Sequence, residues 1–529
     1  MKNKQYPLNI VPKISNLKEL VLNCANAYKH DILFQYEING SIAKISFIDF
    51  MDDVNSLGTA LNKMGLNGRA KVALIGENSY NWILSYFAVA NGGNTIIPIE
   101  SESIRDEIIY DSEVSCLIYS KKNASKIKKS ESGQQHIVLE SDIKDLISKG
   151  RRLIDGGDRG FIDFVVHDEQ CCAILYTSGT TSQPKGVMLS HKNIATNAVA
   201  SIKNVHFSGA SILVLPLYHS FSFTAGVLCV MLSGRTISIN NNIKELKDDL
   251  IKYQPQNLVL VPMIVEALYK QIWIRAKKIG KESLLKKLIF ISNALLKIGI
   301  DLRKKLFSSV HNSFGGNLDL IISGGAPIQE KYIKGFRAFG ITVLNGYGIT
   351  ECSPVISVNR NHYFRYNSVG QVLCGIDIIF KEGEIMVKGD TVTAGYYRDE
   401  LQTDESFHNG WFMTGDLGYM DEDGFLYITG RKKNLIVLSS GKNISPEELE
   451  ERLYDLEYVK EAVVYQNGDQ IEAEIYCGGE DIDKDNRRIK EDINRINGML
   501  PIYKNISRIT VRETEFPKTA TNKIRRSKI

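Results

Sequence analysis

The sequence predicts an α/β protein with a large N-terminal domain of parallel-sheet layers and a small α+β domain at the C-terminus. Three observations support this fold. Short apolar segments, typical of buried strands, alternate with amphipathic segments through the first half of the chain. From about Asn434 the elements become shorter, as in a compact domain of about a hundred residues. The length of 529 residues leaves room for several units at roughly 150 residues each.

The elements of the large domain can be assigned in chain order. "SFIDFMDDVNSLGTALNKMGL" has helical apolar spacing, and Ser46 and Asp49 fit a capping box at its start. A strand ("AKVALIGEN"), a helix closed by glycines ("SYNWILSYFAVANGG") and three short strands ("NTIIPIE", "SCLIYS" and "QHIVLE") follow. After Cys171 the pattern resumes with strands in "QNLVLVP" and "LDLIISGG", and residues 280–310 predict a continuous amphipathic helical stretch.

Residues 207–234 carry no Asp, Glu, Lys or Arg and are long enough to span a bilayer. They also contain Pro216, His219, three glycines and several hydroxyl groups. We therefore expect a buried strand in "SILVLPLYHS" and a helix in "FTAGVLCVMLSGR", both in a dry protein interior. Membrane insertion is the alternative.

The C-terminal elements predict a compact α+β unit. A helix ("PEELEERLYDL"), two strands ("VKEAVVYQ" and "QIEAEIYC"), a second helix ("NRRIKEDINRINGML") and a strand near residues 506–512 follow one another. Ser445, Pro446 and Glu448 occupy the N-cap, N1 and N3 positions of the first helix.

Composition excludes several classes of protein. The net charge is +4, and the run "SKKNASKIKK" is typical of a solvated face, so we expect no nucleic-acid site. Eight cysteines without a C-x-x-C pair favour reduced thiols over a disulfide framework or a zinc site. With no apolar signal core at the N-terminus, we expect a cytoplasmic protein without a transmembrane segment. A peripheral contact with a membrane is left open.

"YTSGTTSQPKGV" (residues 176–187) combines glycines, hydroxyl groups and one lysine. Such a loop can hold a phosphate, because glycine lets backbone N–H groups approach an anion and the lysine adds a positive charge. It is not the G-x-x-x-x-G-K-[ST] loop, since Pro184 and Gly186 replace the second glycine and the final hydroxyl residue. A plain surface loop is the alternative that this stretch alone leaves open.

Five segments in order carry a resemblance: "YTSGTTSQPKGVMLSH", "ISGGAPI", "NGYGITECSP", the stretch from Trp411 to Glu450, and "EFPKTATNKIRR". Together they resemble the adenylate-forming superfamily, which includes acyl-CoA synthetases, peptide-synthetase adenylation domains and luciferases. "GRKKNLIVLSSGKN" looks most like long-chain fatty acid–CoA ligases. The resemblance implies that a carboxylate attacks the α-phosphate of ATP to give an acyl adenylate, which a thiol then attacks. It implies ATP, Mg²⁺ and coenzyme A, or a phosphopantetheine group, as cofactors and co-substrates.

The resemblance assigns the nucleotide-binding residues. The β- and γ-phosphates are assigned to Thr177, Ser178, Gly179, Thr180, Thr181 and Lys185. Tyr347 is expected to stack on adenine, Thr350 to reach phosphate, and Glu351 to bind Mg²⁺. Asp416 and Arg431 are expected to hold the ribose. The remaining predicted contacts are Gly324, Gly325, Ala326, Asn345, Gly346, Gly348 and Ile428.

The resemblance also implies a domain rotation between the two half-reactions. Residues 1–430 would form the ATP and acyl domain, 431–433 the hinge, and 434–529 a mobile domain. Lys523 would bridge the substrate carboxylate and the α-phosphate during adenylation, and Gly441 would leave room for pantetheine. Ser182 and Asn522 depart from the family pattern, which has glycine at both positions.

"LPLYHSFSF" bears on the acid. Amino-acid adenylation domains usually have an aspartate here, whereas this chain has His219, Ser220 and Phe221. An unpaired ammonium would be costly in such a pocket, which favours a fatty or other apolar carboxylic acid. His219 fits either the mouth of the acyl pocket or ordinary packing. An acyl-CoA ligase is the first prediction. A ligase that acylates a carrier protein and a catalytically idle nucleotide-binding scaffold are the alternatives.

Overall fold

The computed structural model describes residues 8–101, 108–109, 112–127, 133–177, 184–240, 242–439, 441–456, 458–478, 482–518, 524 and 526. The chain divides into two compact units. The first comprises residues 1–377 and 387–412, and the second residues 378–386 and 413–529. The predicted domain limits at residues 430 and 434, with a hinge between them, stay a prediction.

The strands are short and follow the chain in this order: β1 Ile32–Ile38, β2 Ser41–Ser46, β3 Lys71–Ile75, β4 Thr95–Ile99, β5 Cys116–Tyr119, β6 Gln135–Val138, β7 Cys171–Thr177, β8 Lys185–Ser190, β9 Ser211–Leu213, β10 Ile237–Ile239, β11 Asn257–Leu260, β12 Leu320–Ser323, β13 Thr342–Gly348, β14 Val355–Val358, β15 Gln371–Val372, β16 Ile376–Lys381, β17 Glu384–Gly389, β18 Gly395–Tyr396, β19 Phe407–His408, β20 Trp411–Met420, β21 Leu426–Arg431, β22 Ile436–Val437, β23 Asn443–Ile444, β24 Glu461–Asn467, β25 Gln470–Tyr476 and β26 Ile506–Arg512.

The α-helices are α1 Leu17–Tyr28, α2 Phe47–Lys63, α3 Tyr80–Asn91, α4 Asp142–Asp155, α5 His191–Asn204, α6 Ser220–Phe223, α7 Cys229–Leu232, α8 Leu246–Tyr253, α9 Pro262–Lys278, α10 Glu282–Lys297, α11 Arg303–Leu306, α12 Ser308–Ser313, α13 Glu330–Ala338, α14 Glu400–Ser406, α15 Pro446–Tyr454 and α16 Ile482–Asn497. Among the described residues, none of them combines the length and the apolar character that a bilayer-spanning helix needs.

A seven-stranded sheet in the first unit confirms the predicted parallel α/β layer. Its order is β18-β8-β7-β4-β3-β5-β6, and β4, β3, β5 and β6 run parallel. The central strands are buried along almost their whole length, because helices cover both faces of a parallel sheet. The β7–β8 pair is antiparallel and brings Thr177 opposite Lys185.

A nine-stranded sheet in the same unit has the order β15-β14-β13-β12-β11-β9-β10-β1-β2. Strands β11, β12 and β13 are parallel neighbours. Their carboxyl ends therefore meet at one edge of the sheet, where ligands of open α/β sheets usually bind. The segments "SGGAP" and "NGYGITE" lie at this edge, since Ser323 ends β12 and Gly348 ends β13.

In the second unit, the C-terminal part is the predicted α+β layer. Strands β24 and β25 are antiparallel, and β26 pairs with β25 in parallel. Helices α15 and α16 contribute Leu449, Leu453, Ile489 and Ile493 to an apolar core shared with the strands.

The structure corrects two local predictions and refines a third. Residues 280–310 do not form one helical stretch, because Gly299 adopts a φ of +84° just after α10 ends at Lys297. The helix predicted in "FTAGVLCVMLSGR" contains a π-helical turn at Thr224–Leu228. Ser445 at the N-cap and Pro446 at N1 of α15 are confirmed, although the Ser445 hydroxyl donates to Glu447 at 2.7 Å and makes no capping hydrogen bond to the helix. The box at Ser46 and Asp49 is confirmed.

All eight cysteines are free thiols, as predicted, and six are buried. Burial raises the pKa of the Cys116 and Cys229 thiols to about 12. These thiols therefore stay protonated and act as small apolar core groups.

Candidate active site

The β7–β8 hairpin carries the predicted phosphate loop. Its tip, which includes Ser178, Gly179, Thr180 and Thr181, lies outside the described residues, so their phosphate contacts stay a prediction. Both ends of the loop are described, and Thr177 and Lys185 are paired across the hairpin. The hairpin thus closes the loop with a hydroxyl group and a cation side by side.

Lys185 and Glu351 are linked through Tyr396. The Lys185 Nζ lies 5.5 Å from the centroid of the Tyr396 ring and contacts the side-chain oxygen of Gln402. The Tyr396 hydroxyl donates to Glu351 Oε1 at 3.0 Å. Burial and the Glu351 carboxylate raise the pKa of Tyr396, which keeps this hydroxyl a donor. A cation and a carboxylate therefore flank one aromatic ring.

Sequence reasoning missed Tyr396 and Gln402. The signal for Tyr396 was the pair of tyrosines that follows Gly395, next to the short helix α14. Gln402 stands on that helix and so reaches Lys185 from a segment more than two hundred residues away.

Thr350 and Glu351 lie on a 3₁₀ turn directly after β13. The Thr393 N–H donates to the Glu351 backbone carbonyl at 2.8 Å, and the Ser220 and Thr350 hydroxyl oxygens lie 3.4 Å apart. Among the described residues no cluster of three or more His, Cys, Asp or Glu side chains could hold a metal by itself. A single carboxylate suits Mg²⁺, which is commonly held by one or two carboxylates together with substrate phosphates. The Glu351 oxygens therefore fit such an ion.

The glycines at the sheet edge allow close backbone approach. A Cβ on Gly348 would lie 1.9 Å from the Pro354 carbonyl oxygen, and one on Gly346 would lie 3.1 Å from the Ser357 carbonyl oxygen. A Cβ on Gly324 would lie 2.9 Å from the Phe221 ring, and Gly325 adopts a φ of +84°. Ala326, beside it, is exposed. The turns around Tyr347 and Ala326 thus depend on glycine.

Asn345 precedes this turn and is buried. Its backbone carbonyl accepts from the Asn359 N–H at 3.0 Å. Its side-chain Oδ1 is buried without a hydrogen-bond partner among the described residues. This acceptor is therefore available to a donor that the described residues do not supply.

His219 lines a narrow apolar cavity. The other lining residues include Tyr86, Leu175, Leu217 and Phe223, and the volume is about 10 Å³. The His219 and Tyr218 ring centroids lie 4.3 Å apart with the ring planes tilted by 47°, and His219 is the N-cap residue of helix α6. The histidine thus both packs against a neighbour and borders the cavity, so the two sequence-based alternatives are compatible.

The second unit brings Asp416 and Arg431 together. They are register partners on β20 and β21, and Arg431 Nε lies 2.7 Å from Asp416 Oδ1. Asp416 is only 4% exposed, whereas the Arg431 side chain is largely exposed. Ile428 pairs with Gly418 on the same two strands. A buried carboxylate with one cationic neighbour can accept hydroxyl groups, as the predicted ribose role requires.

Gly441 and the residues around Lys523 belong to the same unit. Gly441 adopts a φ of +75°, and a Cβ there would meet no atom within 4 Å. Lys523 itself lies outside the described residues. Its neighbour Ile524 bridges Lys518, and Arg526 donates to Val464 and to the buried carboxylate of Glu450. Both described neighbours of Lys523 are therefore tied to the unit.

Known proteins share the sequence pattern and the fold of this chain. The AMP-binding enzyme family matches residues 23–397. A long-chain fatty acid–CoA ligase, FadD15, of Mycobacterium bovis is 28% identical over 82% of this chain and 77% of its own length. A chloroplastic long-chain fatty acid–[acyl-carrier-protein] ligase, AEE15, of Arabidopsis thaliana is 26% identical over 80% of this chain and 70% of its own.

Solved structures show the same fold. The anthranilate CoA ligase AuaEII, determined with anthranoyl-AMP, superposes with a TM-score of 0.77 at 19% identity. The match covers 100% of this chain and 98% of that chain. The resemblance seen in the sequence is therefore confirmed: the chain belongs to the AMP-binding enzyme family, as an acid–thiol ligase of the adenylate-forming superfamily.

Proposed function

We propose that this enzyme activates a fatty or similar apolar carboxylic acid with ATP and transfers the acyl group to the thiol of coenzyme A, releasing AMP and pyrophosphate. The observation that carries the proposal is the arrangement of Lys185, Tyr396 and Glu351 beside the phosphate-loop hairpin. Bringing a carboxylate to a polyphosphate crowds negative charges, and this arrangement supplies a cation and a metal ligand to offset them.

Each group has a role in holding ATP. Lys185 and Thr177 would meet the β- and γ-phosphates together with the predicted loop tip. Glu351 would hold Mg²⁺, which neutralises charge on the phosphate oxygens when bound.

Tyr347 offers a ring for adenine, and the buried Asn345 Oδ1 suits the donor of an exocyclic amine. Asp416 and Arg431 would take the ribose hydroxyls. Lys523 would bridge the acid and the α-phosphate.

The apolar cavity beside His219 favours an apolar acyl group, because Leu175, Leu217 and Phe223 line it. At about 10 Å³ it has room for no more than a water molecule, so an acyl chain would enter only after side chains separate. We expect the side chains of Phe223 and Tyr86, whose ring centroids lie 4.0 Å apart, to be the ones that separate. The similarity to long-chain fatty acid ligases supports the same class of acid.

A second candidate function uses the same adenylation and a different acceptor. The similarity to AEE15 favours the phosphopantetheine of an acyl carrier protein as an alternative to coenzyme A. An idle nucleotide-binding scaffold is disfavoured, because Lys523, Glu351 and Asp416, which the proposed adenylation would need, are all present.

The test is exchange of labelled pyrophosphate into ATP, driven by acids of graded chain length, with succinylbenzoate and an amino acid as controls. We expect Mg²⁺-dependent exchange with fatty acids and none with the amino acid. Adding coenzyme A or a carrier protein to the preformed adenylate then identifies the acceptor. Exchange with none of the acids would overturn the proposal, and exchange with the amino acid alone would overturn the choice of acid.

A further inference from the structure

Helix α10 is an amphipathic surface helix whose apolar face is only partly covered. Of its sixteen residues only Ser292 is buried. Leu284 and Ile291 are each 49% exposed, and Phe290 is 78% exposed. Ile298, just past the helix, is 70% exposed. Because Leu284, Ile291 and Ile298 recur at intervals of seven, they form a line about 21 Å long on one side.

Ile300 and Leu302, in the loop that follows the helix, are also exposed. Six large apolar side chains are thus presented to solvent within nineteen consecutive residues, 284–302. Singly exposed apolar residues are normal on a protein surface, whereas a contiguous set of this kind marks an interaction site.

The same part of the chain is strongly basic. The α9–α11 segment (residues 262–306) contains eleven Lys and Arg residues against three acidic residues. Each acid already has a basic neighbour within the segment: Lys286 lies 2.7 Å from Glu282, Arg303 2.6 Å from Asp301, and Lys270 3.7 Å from Glu266. The segment therefore carries a net charge of +8 in a chain whose total is +4.

We propose that the α9–α11 segment docks on an anionic lipid surface, with α10 lying in the plane of the interface. Apolar side chains bordered by lysines are what such a helix presents to headgroups and acyl chains. The charge complements anionic phospholipids and disfavours a second copy of this chain, because two such faces would repel each other. An acidic carrier protein would match the charge but leaves the exposed apolar line without an explanation.

The test is flotation of the full chain with phosphatidylcholine vesicles and with vesicles in which a third of the lipid is phosphatidylglycerol. We expect binding to the anionic vesicles that weakens as salt is added. The variant Phe290→Ser/Ile291→Ser/Ile298→Ser should lose about tenfold in vesicle affinity. Lys287→Glu/Lys297→Glu lowers the net charge of the segment from +8 to +4 and should therefore weaken binding to the anionic vesicles and reduce its dependence on salt.

Matched controls are Val165→Ser/Leu401→Ser and Lys244→Glu/Lys247→Glu, which change exposed residues outside the segment. These variants should float like the wild-type chain, and all variants should keep pyrophosphate exchange with a soluble acid, which shows that they fold. Equal vesicle binding by segment and control variants would overturn the proposal. The proposal would also be overturned if the segment variants lost self-association or carrier-protein binding but still floated like the wild-type chain.

Discussion

At the residue scale, Tyr396 is the side chain that sets the geometry of the predicted metal ligand. Its hydroxyl donates to one Glu351 oxygen, and its ring faces the Lys185 ammonium. Groups that hydrogen-bond a metal ligand orient it, and removing them typically costs 10–100-fold in metal affinity or activity. We therefore expect Tyr396→Phe to raise the Mg²⁺ concentration for half-maximal pyrophosphate exchange by about tenfold.

The matched control is Tyr397→Phe. This neighbouring hydroxyl accepts a hydrogen bond from Lys71 at 2.7 Å, whereas it is the Tyr396 hydroxyl that donates to Glu351. Its removal should leave the Mg²⁺ dependence unchanged. The same shift in both variants would show that the effect comes from the packing of the β18 segment and not from Glu351.

Glu450 links the charge state of a buried group to stability. Burial raises the pKa of Glu450 to about 7, although Arg526 donates to one oxygen and the Val464 N–H donates to the other at 2.7 Å. Its pKa in the folded chain lies above the value of 4.5 expected when unfolded. Its contribution to stability is therefore complete below pH 4.5 and is lost as the pH rises through 7.

We expect the melting temperature of the wild type, relative to Glu450→Gln, to fall between pH 5 and pH 8, with a free-energy change of at most about 3 kcal/mol. Thermal unfolding of both proteins across this range measures it. Glu451→Gln, at the exposed neighbouring position, should show no such trend. A difference between wild type and Glu450→Gln that stays constant with pH would contradict the assignment.

At the element scale, the contact between α2 and α4 depends on one missing side chain. A Cβ on Gly150 would lie 1.7 Å from the Ser56 carbonyl oxygen, so these helices approach backbone to backbone. Gly150→Ala improves helix propensity by up to about 1 kcal/mol. We nevertheless expect it to lower the free energy of unfolding by about 1–3 kcal/mol, because the helices must separate.

Denaturant unfolding of Gly150→Ala and of Lys149→Ala, at the exposed preceding position, separates the two effects. The lysine variant should stay within about 0.5 kcal/mol of the wild type. A Gly150→Ala protein as stable as the wild type would show that the two helices adjust without cost.

The sequence predicted elements well where hydrophobic periodicity decided the structure. The predicted strands β3, β4, β5, β6, β11 and β12, helix α2 with its capping box, and helix α3 all stand where expected, since burial on the sheet or core face dictates their pattern. The sequence-based predictions were wrong or incomplete where another local interaction competed with the periodic pattern. Gly299 ends α10 through its positive φ, and the Ser445 hydroxyl prefers the nearby Glu447 carboxylate to the helix cap.

The candidate site also contains residues that local sequence motifs point to and residues that they do not. Glu351 and Asp416 were predicted from their motifs, and their roles stay predictions, although the structure gives Glu351 a hydrogen bond from Tyr396 and Asp416 an ion pair with Arg431. Gln402 could not be found, because its contact with Lys185 joins residues 217 positions apart in the chain. Such pairings depend on topology, here the pairing of β18 with β8, which no local pattern encodes.

At the scale of the whole molecule, the predicted roles are divided between the two compact units. Lys185 and Glu351 belong to the first unit, and Asp416, Gly441 and Lys523 belong to the second. In the proposed two-step reaction, Lys523 acts only in adenylation. We therefore expect Lys523→Ala to abolish pyrophosphate exchange while preformed acyl-AMP still reacts with coenzyme A at a rate within a few-fold of the wild type.

Single-turnover assays of the two half-reactions measure this. Lys518→Ala is the control, since Lys518 pairs with Glu461 and Glu515. It should reduce neither half-reaction selectively. Equal loss of both half-reactions in Lys523→Ala would rule out a role restricted to the first step.

The burial of the cysteine next to Glu351 has a chemical consequence for an enzyme that forms acyl adenylates. An acyl adenylate is a potent acylating agent, and it would modify any thiolate of the protein that it could reach. Cys352 directly follows Glu351 in the chain, yet its side chain is buried. Burial thus shields the Cys352 thiol, and in the proposed reaction the sulfur that takes the activated acid is that of coenzyme A or of a carrier protein.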